Sequence, residues 1–179
     1  PGRSVLEDFE QQGYQVKCVV KISDVFNGVG VTESHHTRDN LDGIHTTVKL
    51  MKEDFEGMIF TNLVEFDSKY GHRNNPLGYA QALEEWDQYL QKIISVMNTG
   101  DILFITGDHG TDPTTDSTDH SRELVPLLVY GPACSRGVDL GIRVGFYDLG
   151  ATVLDYFDIE RELEAESFLC SIQGDPVEL

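Results

Sequence analysis

Asp67 and His72 stand five residues apart in the segment EFDSKYGHRNNP, and Asp108, His109 and His120 share the segment GDHGTDPTTDSTDHSRE. Each segment directly follows an apolar run, GMIFTNLV or DILFIT, of the length and composition of a buried strand. Gly71 and Pro76 let the first segment bend so that both of its side chains turn inward. Imidazole and carboxylate in mixture suit borderline divalent ions such as manganese or zinc, whereas an all-oxygen set suits magnesium or calcium. Five candidate ligands exceed the three that a single catalytic ion usually takes from protein. Adjacent Asp108 and His109 need not serve the same ion as Asp67 and His72. Two ions about 4 Å apart are the recurrent clamp for phosphoryl transfer, so the pattern predicts a pair of divalent ions. Any one of these residues alone would read as a solvated surface group; their joint placement after two successive strands carries the expectation.

For five ligands from two segments to meet, both strands must end at one edge of a sheet. Val5, Leu6 and Phe9 predict a short helix that stops at Gly13, followed by the strand YQVKCVV from Tyr14 to Val20. NGVGVTES, Asn27 to Ser34, reads as a glycine-bearing loop, and Leu41, Ile44, Val48, Leu50 and Met51 mark a helix leading to a strand that ends at Val64. LGYAQALEEWDQYLQKIISVM keeps a helical period until NTGD breaks it ahead of DILFIT. LVPLLVY predicts a fourth strand and YDLGATVLDYF a final amphipathic helix. Strands alternating with helices predict an α/β fold, a mostly parallel sheet flanked by helices, as one domain over residues 1–179. In such sheets functional loops gather beyond the C-terminal strand ends, where both polar segments fall.

Thirteen Lys plus Arg against 31 Asp plus Glu give a net charge of −18, which opposes binding to nucleic acid or to an anionic membrane surface. Cys18, Cys134 and Cys170 are widely separated and odd in number, and they read as reduced thiols of a cytoplasmic protein. No stretch approaches the roughly twenty apolar residues of a membrane helix, and PGRSVLEDFEQQG lacks the pattern of a signal peptide. There is no initiator Met and the first residues already read as helix, so the chain is expected to begin partway through a longer protein. His35, His36 and His45 have polar neighbours and read as solvated; Tyr79, Trp86 and Tyr89 follow helical spacing and read as core or rim.

FTNLVEFDSKYGHRNNPLGYAQALEEWD followed by LFITGDHGTDPTTDSTDHSRELVPLLVY closely resembles the phosphopentomutases of the alkaline phosphatase superfamily. The likeness runs back through VKISDVFNGVGVTES and RDNLDGIHTTVKLM and forward through DLGATVLDYF, nearly the whole chain. It implies part of an alkaline phosphatase-like core and two divalent ions, manganese in that family. Asp67, His72 and His120 would hold one ion, with Asp108 and His109 as part of the shell of the second. The implied reaction interconverts ribose 1-phosphate and ribose 5-phosphate, or the 2-deoxyribose pair, in nucleoside salvage. In the family it passes through a phosphothreonine and a bisphosphate. The nucleophilic Thr, an Asp near the N-terminus and the inserted cap domain have no counterpart in this chain, so the resemblance implies that activity needs a missing N-terminal core and cap.

Thr111 departs from the family's usual DHGN, which is expected to alter the surroundings of the ions rather than their ligands. Asp112 and Asp119 are expected to be solvated or to support the ligands. Lys21, at the end of the first strand, can face a substrate phosphate or simply the solvent, and Arg122 can do the same or pair with Glu123 or a neighbouring carboxylate. Two rival readings stand beside this one: a cofactor-independent phosphoglycerate mutase-like enzyme, against which FDSKYGHR and TDHSRE speak, and a non-catalytic metal-binding remnant.

Overall fold

The computed structural model describes residues 2–173. The first helix, α1 (Val5–Gln11), opens on a capping box in which Ser4 Oγ accepts the Glu7 N–H at 3.3 Å and Glu7 Oε2 accepts the Ser4 N–H at 2.6 Å. Its Leu6 and Phe9 are buried against β1 (Gln15–Val19), where Val16, Cys18 and Val19 are wholly enclosed. β1 is the middle strand of a three-stranded parallel sheet, flanked by β2 (Glu33–His35) and β3 (Gly57–Thr61). A central parallel strand is covered on both faces, which is why it reads as a continuous apolar run. Lys17 is the exception. Only 4% exposed, it lies over the Phe55 ring with Nζ 2.6 Å from Glu53 and 3.2 Å from Glu33. Burial alone would push its pKa down, but the two carboxylates more than offset this and hold it above the ordinary lysine value. β1 ends where Val20 takes φ 72°, a left-handed conformation that is unusual for a β-branched residue.

A short α2 (Ile22–Val25) follows, then α3 (Asn40–Leu50), capped by Asp39, and α4 (Pro76–Val96), capped by Asn75 with Pro at its start. β4 (Leu103–Thr106) and β5 (Leu127–Tyr130) form a separate antiparallel pair. Their inner face packs Phe104, Leu127 and Val129 on Phe168 and on Leu169 and Ile172 of α6 (Leu169–Gln173), with Tyr156 at the end of α5 (Tyr147–Tyr156) in the same cluster. β3 pairs only with β1 and β4 only with β5, so among the described residues each has one unpaired edge. No helix of the described residues is long and apolar enough to cross a membrane.

The parallel sheet flanked by helices is as expected, with corrections in detail: the two strands that precede the ligand segments, expected at one edge of one sheet, fall in two sheets, β3 beside β1 and β4 beside β5. Leu63 and Val64 lie beyond β3 because they pack sideways, Val64 on the Val19, Val20 and Leu50 cluster and Leu63 close to Gly43. The run from Leu124 is strand only from Leu127: Leu124 is largely exposed and Pro126 has no N–H to give a ladder. β5 runs antiparallel to β4, a direction that an apolar run does not encode. The segment Asn27 to Ser34 is not all loop, since Glu33 and Ser34 begin β2.

Candidate metal centre

The chain beyond β3 leaves the sheet through a single π-helical turn, Phe66–Tyr70, and a 3₁₀ turn, Gly71–Arg73. Such π turns are rare and recur at functional sites. The segment is fastened at both ends. Glu65 Oε2 accepts the Asn40 N–H at 2.9 Å while Asn40 Oδ1 accepts the Glu65 N–H at 3.1 Å, which ties its start to the first residue of α3. At its far end Asn74 takes φ 46° and donates Nδ2–H to the Thr115 carbonyl at 3.0 Å, and Asn75 caps α4 by accepting the Gly78 N–H.

The chain beyond β4 makes a wide polar loop that closes on itself. Gly110 and Ser121 form an isolated antiparallel bridge, with the Ser121 N–H donating to the Gly110 carbonyl at 3.0 Å. This returns His120 to the side of His109, whose ring it stacks at a centroid distance of 3.7 Å. Inside the loop Asp112 Oδ1 accepts from both the hydroxyl and the N–H of Thr114, which holds its carboxyl below the usual range and marks it as a loop-shaping group.

The two loops meet at Asp67. Its Oδ1 lies 3.3 Å from His72 Nε2 and 3.4 Å from His120 Nε2, and one ligand atom each from Asp67, His109 and His120 fall within 4.8 Å of one another. His72 Nδ1 faces the Thr118 carbonyl oxygen at 2.5 Å, so Nδ1–H donates there and Nε2 is the ring nitrogen turned toward Asp67. Asp108 is the outlying member: its side chain is 74% exposed and its Oδ1 lies 3.7 Å from His109 Nε2. All five expected ligands thus share one neighbourhood. The tightest group, however, joins Asp67 to His109 as well as to His120, a different partition from the one expected.

The donor chemistry fits a divalent cation. Lys69 is engaged with Glu65 at 2.9 Å and Arg73 with the carbonyl of His72 at 3.0 Å, so among the described residues no Lys or Arg forms an ion pair with Asp67. Tyr79 registers the surplus negative charge: burial first, then Asp67 and Asp108, raise its pKa.

The side chain of Lys21 is exposed at the start of α2 and has no ion-pair partner among the described residues. Arg122 is exposed and does not pair with Glu123, which instead accepts a hydrogen bond from Ser121 Oγ. Asp119 is exposed, as expected of a solvated group. His35 is no free surface group, since its Nε2 is 2.7 Å from Glu33; His36 is exposed, and His45 packs its ring edge on Tyr89. Sequence reasoning passed over Glu65 and Asn74, whose partners lie 25 and 41 residues away. The Asn-Asn-Pro run after His72 was the one signal available for Asn74.

The chain is similar to known proteins over nearly its whole length. A phosphopentomutase of Acetivibrio thermocellus is 52% identical over 171 residues, 96% of this chain and 44% of that relative. A phosphopentomutase of Thermotoga maritima is 54% identical over 168 residues, 93% of this chain and 43% of the relative. The chain therefore spans less than half the length of these curated relatives. Among solved structures, a phosphoglycerate mutase of Leishmania mexicana superposes with a TM-score of 0.66 at 15% identity, covering 90% of this chain and 38% of its own. A Pyrococcus horikoshii protein superposes at 0.64 with 21% identity, covering 88% and 53%. At such identities these two speak for the fold alone. The family model of the Metalloenzyme superfamily matches residues 7–161, an interval that contains both ligand loops and all three strands of the parallel sheet, and the chain belongs to that superfamily.

Proposed function

We propose that this chain is the metal-bearing core segment of a phosphopentomutase, the intact protein interconverting (deoxy)ribose 1-phosphate and (deoxy)ribose 5-phosphate. The observation that carries the reading is the meeting of Asp67, His109 and His120 across two loops, in a chain about half identical to relatives bearing that name. The resident ions are two Mn2+. Asp67, His72 and His120 hold one, which their 3.3 and 3.4 Å contacts support, and Asp108 with His109 belongs to the other. When bound, the ions offset charge on the transferring phosphoryl group and favour ionisation of the attacking hydroxyl. The residues of this chain supply position: the His72 hydrogen bond to Thr118 orients its ring, and the Gly110–Ser121 bridge sets His120 beside His109. Exposed Lys21 is a candidate contact for the substrate phosphate.

The 179-residue chain alone is proposed to be inactive. The relatives are more than twice as long, and the unpaired edges of β3 and β4 fit a core completed by further chain. The nucleophile and the cap belong to that remainder, the chain forms one α/β domain within the whole, and the setting is cytoplasmic nucleoside salvage. An assay of the intact protein on ribose 1-phosphate and on 3-phosphoglycerate tests this. Turnover of the pentose phosphate, dependent on added Mn2+, is expected; turnover of 3-phosphoglycerate alone would replace the reading with the mutase alternative.

A further inference from the structure

Thr111 sits in the loop after β4 yet touches both ligand loops. Its Oγ1 lies 3.2 Å from His109 Nδ1 and, in a longer contact, 3.4 Å from Asp67 Oδ1. A hydroxyl has one proton to give and lone pairs to receive, whereas an ionised carboxylate can only accept. One arrangement satisfies both contacts: His109 Nδ1–H donates to Oγ1, and Oγ1–H donates to Asp67. The Gly110 carbonyl, 3.2 Å from the same His109 Nδ1, is a second acceptor and favours the same tautomer. His109 is then left with a bare Nε2, the atom a cation would use.

The methyl of Thr111 has a separate partner. A Cβ added to Gly71 would lie 2.2 Å from Thr111 Cγ2, while its next neighbours, the Phe66 carbonyl oxygen at 3.2 Å and Thr111 Cβ at 3.4 Å, are much less close. Gly71 has φ −60° and ψ −66°, a right-handed conformation open to any residue, so its backbone does not demand glycine. The nearest obstacle to a side chain there is the Thr111 methyl, seated against the bare Cα of the loop that carries Asp67 and His72.

We propose that Thr111 is a positioning residue that latches the two ligand loops together, its hydroxyl relaying a hydrogen bond from His109 to Asp67 and its methyl filling the space left by Gly71. The proposal deepens the metal-centre reading and rests on it. It also gives a role of its own to a residue at which the chain departs from the family pattern.

The test is Mn2+ binding to the intact protein, followed by the electron paramagnetic resonance signal of free aqueous Mn2+, so that activity is not the readout. Thr111→Val keeps the shape and removes the hydroxyl, and is expected to weaken binding about tenfold or more, the usual scale for a group that orients a ligand. Thr111→Ser keeps the hydroxyl and should bind within about threefold of wild type. Gly71→Ala should also lose about tenfold or more, and the double variant with Thr111→Ser should recover to within about threefold of Thr111→Ser alone, because the two positions share one contact. Rescue by the smaller residue is an outcome that general misfolding does not produce. If Thr111→Val binds as wild type does, or if the double variant is no better than Gly71→Ala, the latch is wrong while the metal centre stands. If wild type itself binds no Mn2+, the centre and the latch fall together.

Discussion

The two sheets of this molecule are built to different standards. Around β1 the parallel sheet has Val16, Cys18, Val19 and Phe9 wholly enclosed, with Phe9 packing edge-on against Phe157 at a centroid distance of 4.7 Å. In the β4–β5 pair no residue is fully buried, Leu128 is 58% exposed, and one face leans on a small cluster around Phe168. The first sheet is closely packed around β1; the second depends more on its neighbours. The candidate metal centre lies at the join, with Asp67 and His72 arriving from the first sheet and His109 and His120 from the second. Residues that would bind the ions therefore also connect a well-packed region to a poorly packed one.

The comparison is most severely tested in the core. Phe9→Ala is expected to cost about 3–5 kcal/mol in denaturant unfolding, while Leu128→Ala stays within about 0.5 kcal/mol. Equal costs would show that the two sheets are not unequal after all. Next in size is the join itself. Mn2+ at a hundredfold excess over its dissociation constant should stabilise the protein by about 2.7 kcal/mol, and Asp67→Ala should abolish that gain without lowering metal-free stability by a similar amount. Since imidazole must be unprotonated to ligate, bound metal should fall as the solution is taken from about pH 8 to about pH 5; a constant metal content over that range would contradict the ligand assignment.

Smaller effects refine the picture of the first sheet. Ser4→Ala removes the oxygen that caps α1 and should cost about 1 kcal/mol, while the backbone N–H of residue 4, the main cause that holds the Glu7 pKa below the ordinary value, is kept. Burial pushes the Cys18 thiol up to about 11, above its ordinary 9.0. The folded state therefore holds this proton more tightly than the unfolded chain does. Its contribution is complete below pH 9 and is lost as pH rises toward 11, so the urea midpoint should decline over that interval and not below it. At pH 8 a thiol reagent should modify exposed Cys170 quickly and Cys18 only on unfolding; rapid reaction at Cys18 would mean that the core around β1 opens easily.

How much of this was written in the sequence depends on which force placed each element. α3, α4 and α5 are set by burial of one face, which leaves a period that can be read, and β1 by burial on both faces, which leaves an apolar run. β2 could not be read that way. Its three residues, Glu33, Ser34 and His35, carry no apolar pattern, and its place beside β1 comes from ladder bonds together with Thr32, whose Oγ1 accepts the Val16 N–H at 2.8 Å. The types of the site residues were legible because each ligand segment directly follows an apolar run, although those runs, β3 and β4, fall in two different sheets. Their grouping was not, because it turns on the π turn that carries Asp67 and on the bridge that folds His120 back onto His109. Thr111 looked like a minor departure in a motif because its partner Gly71 is forty residues away along the chain.

The unpaired edges of β3 and β4 also matter for the fate of the chain in a cell. Gly-Met-Ile-Phe-Thr and Leu-Phe-Ile-Thr are short, uncharged and free of proline, and they lack the lysines, bulges and prolines with which proteins blunt an exposed strand edge. An edge of that kind recruits any extended peptide that meets it, a second copy of itself included. Produced without a covering strand, the chain is expected to aggregate through β-pairing at rising concentration, and a single Lys placed at Phe60, already partly exposed, should delay it. Edges unpaired among the described residues are thus a proteostasis liability for as long as they stay uncovered.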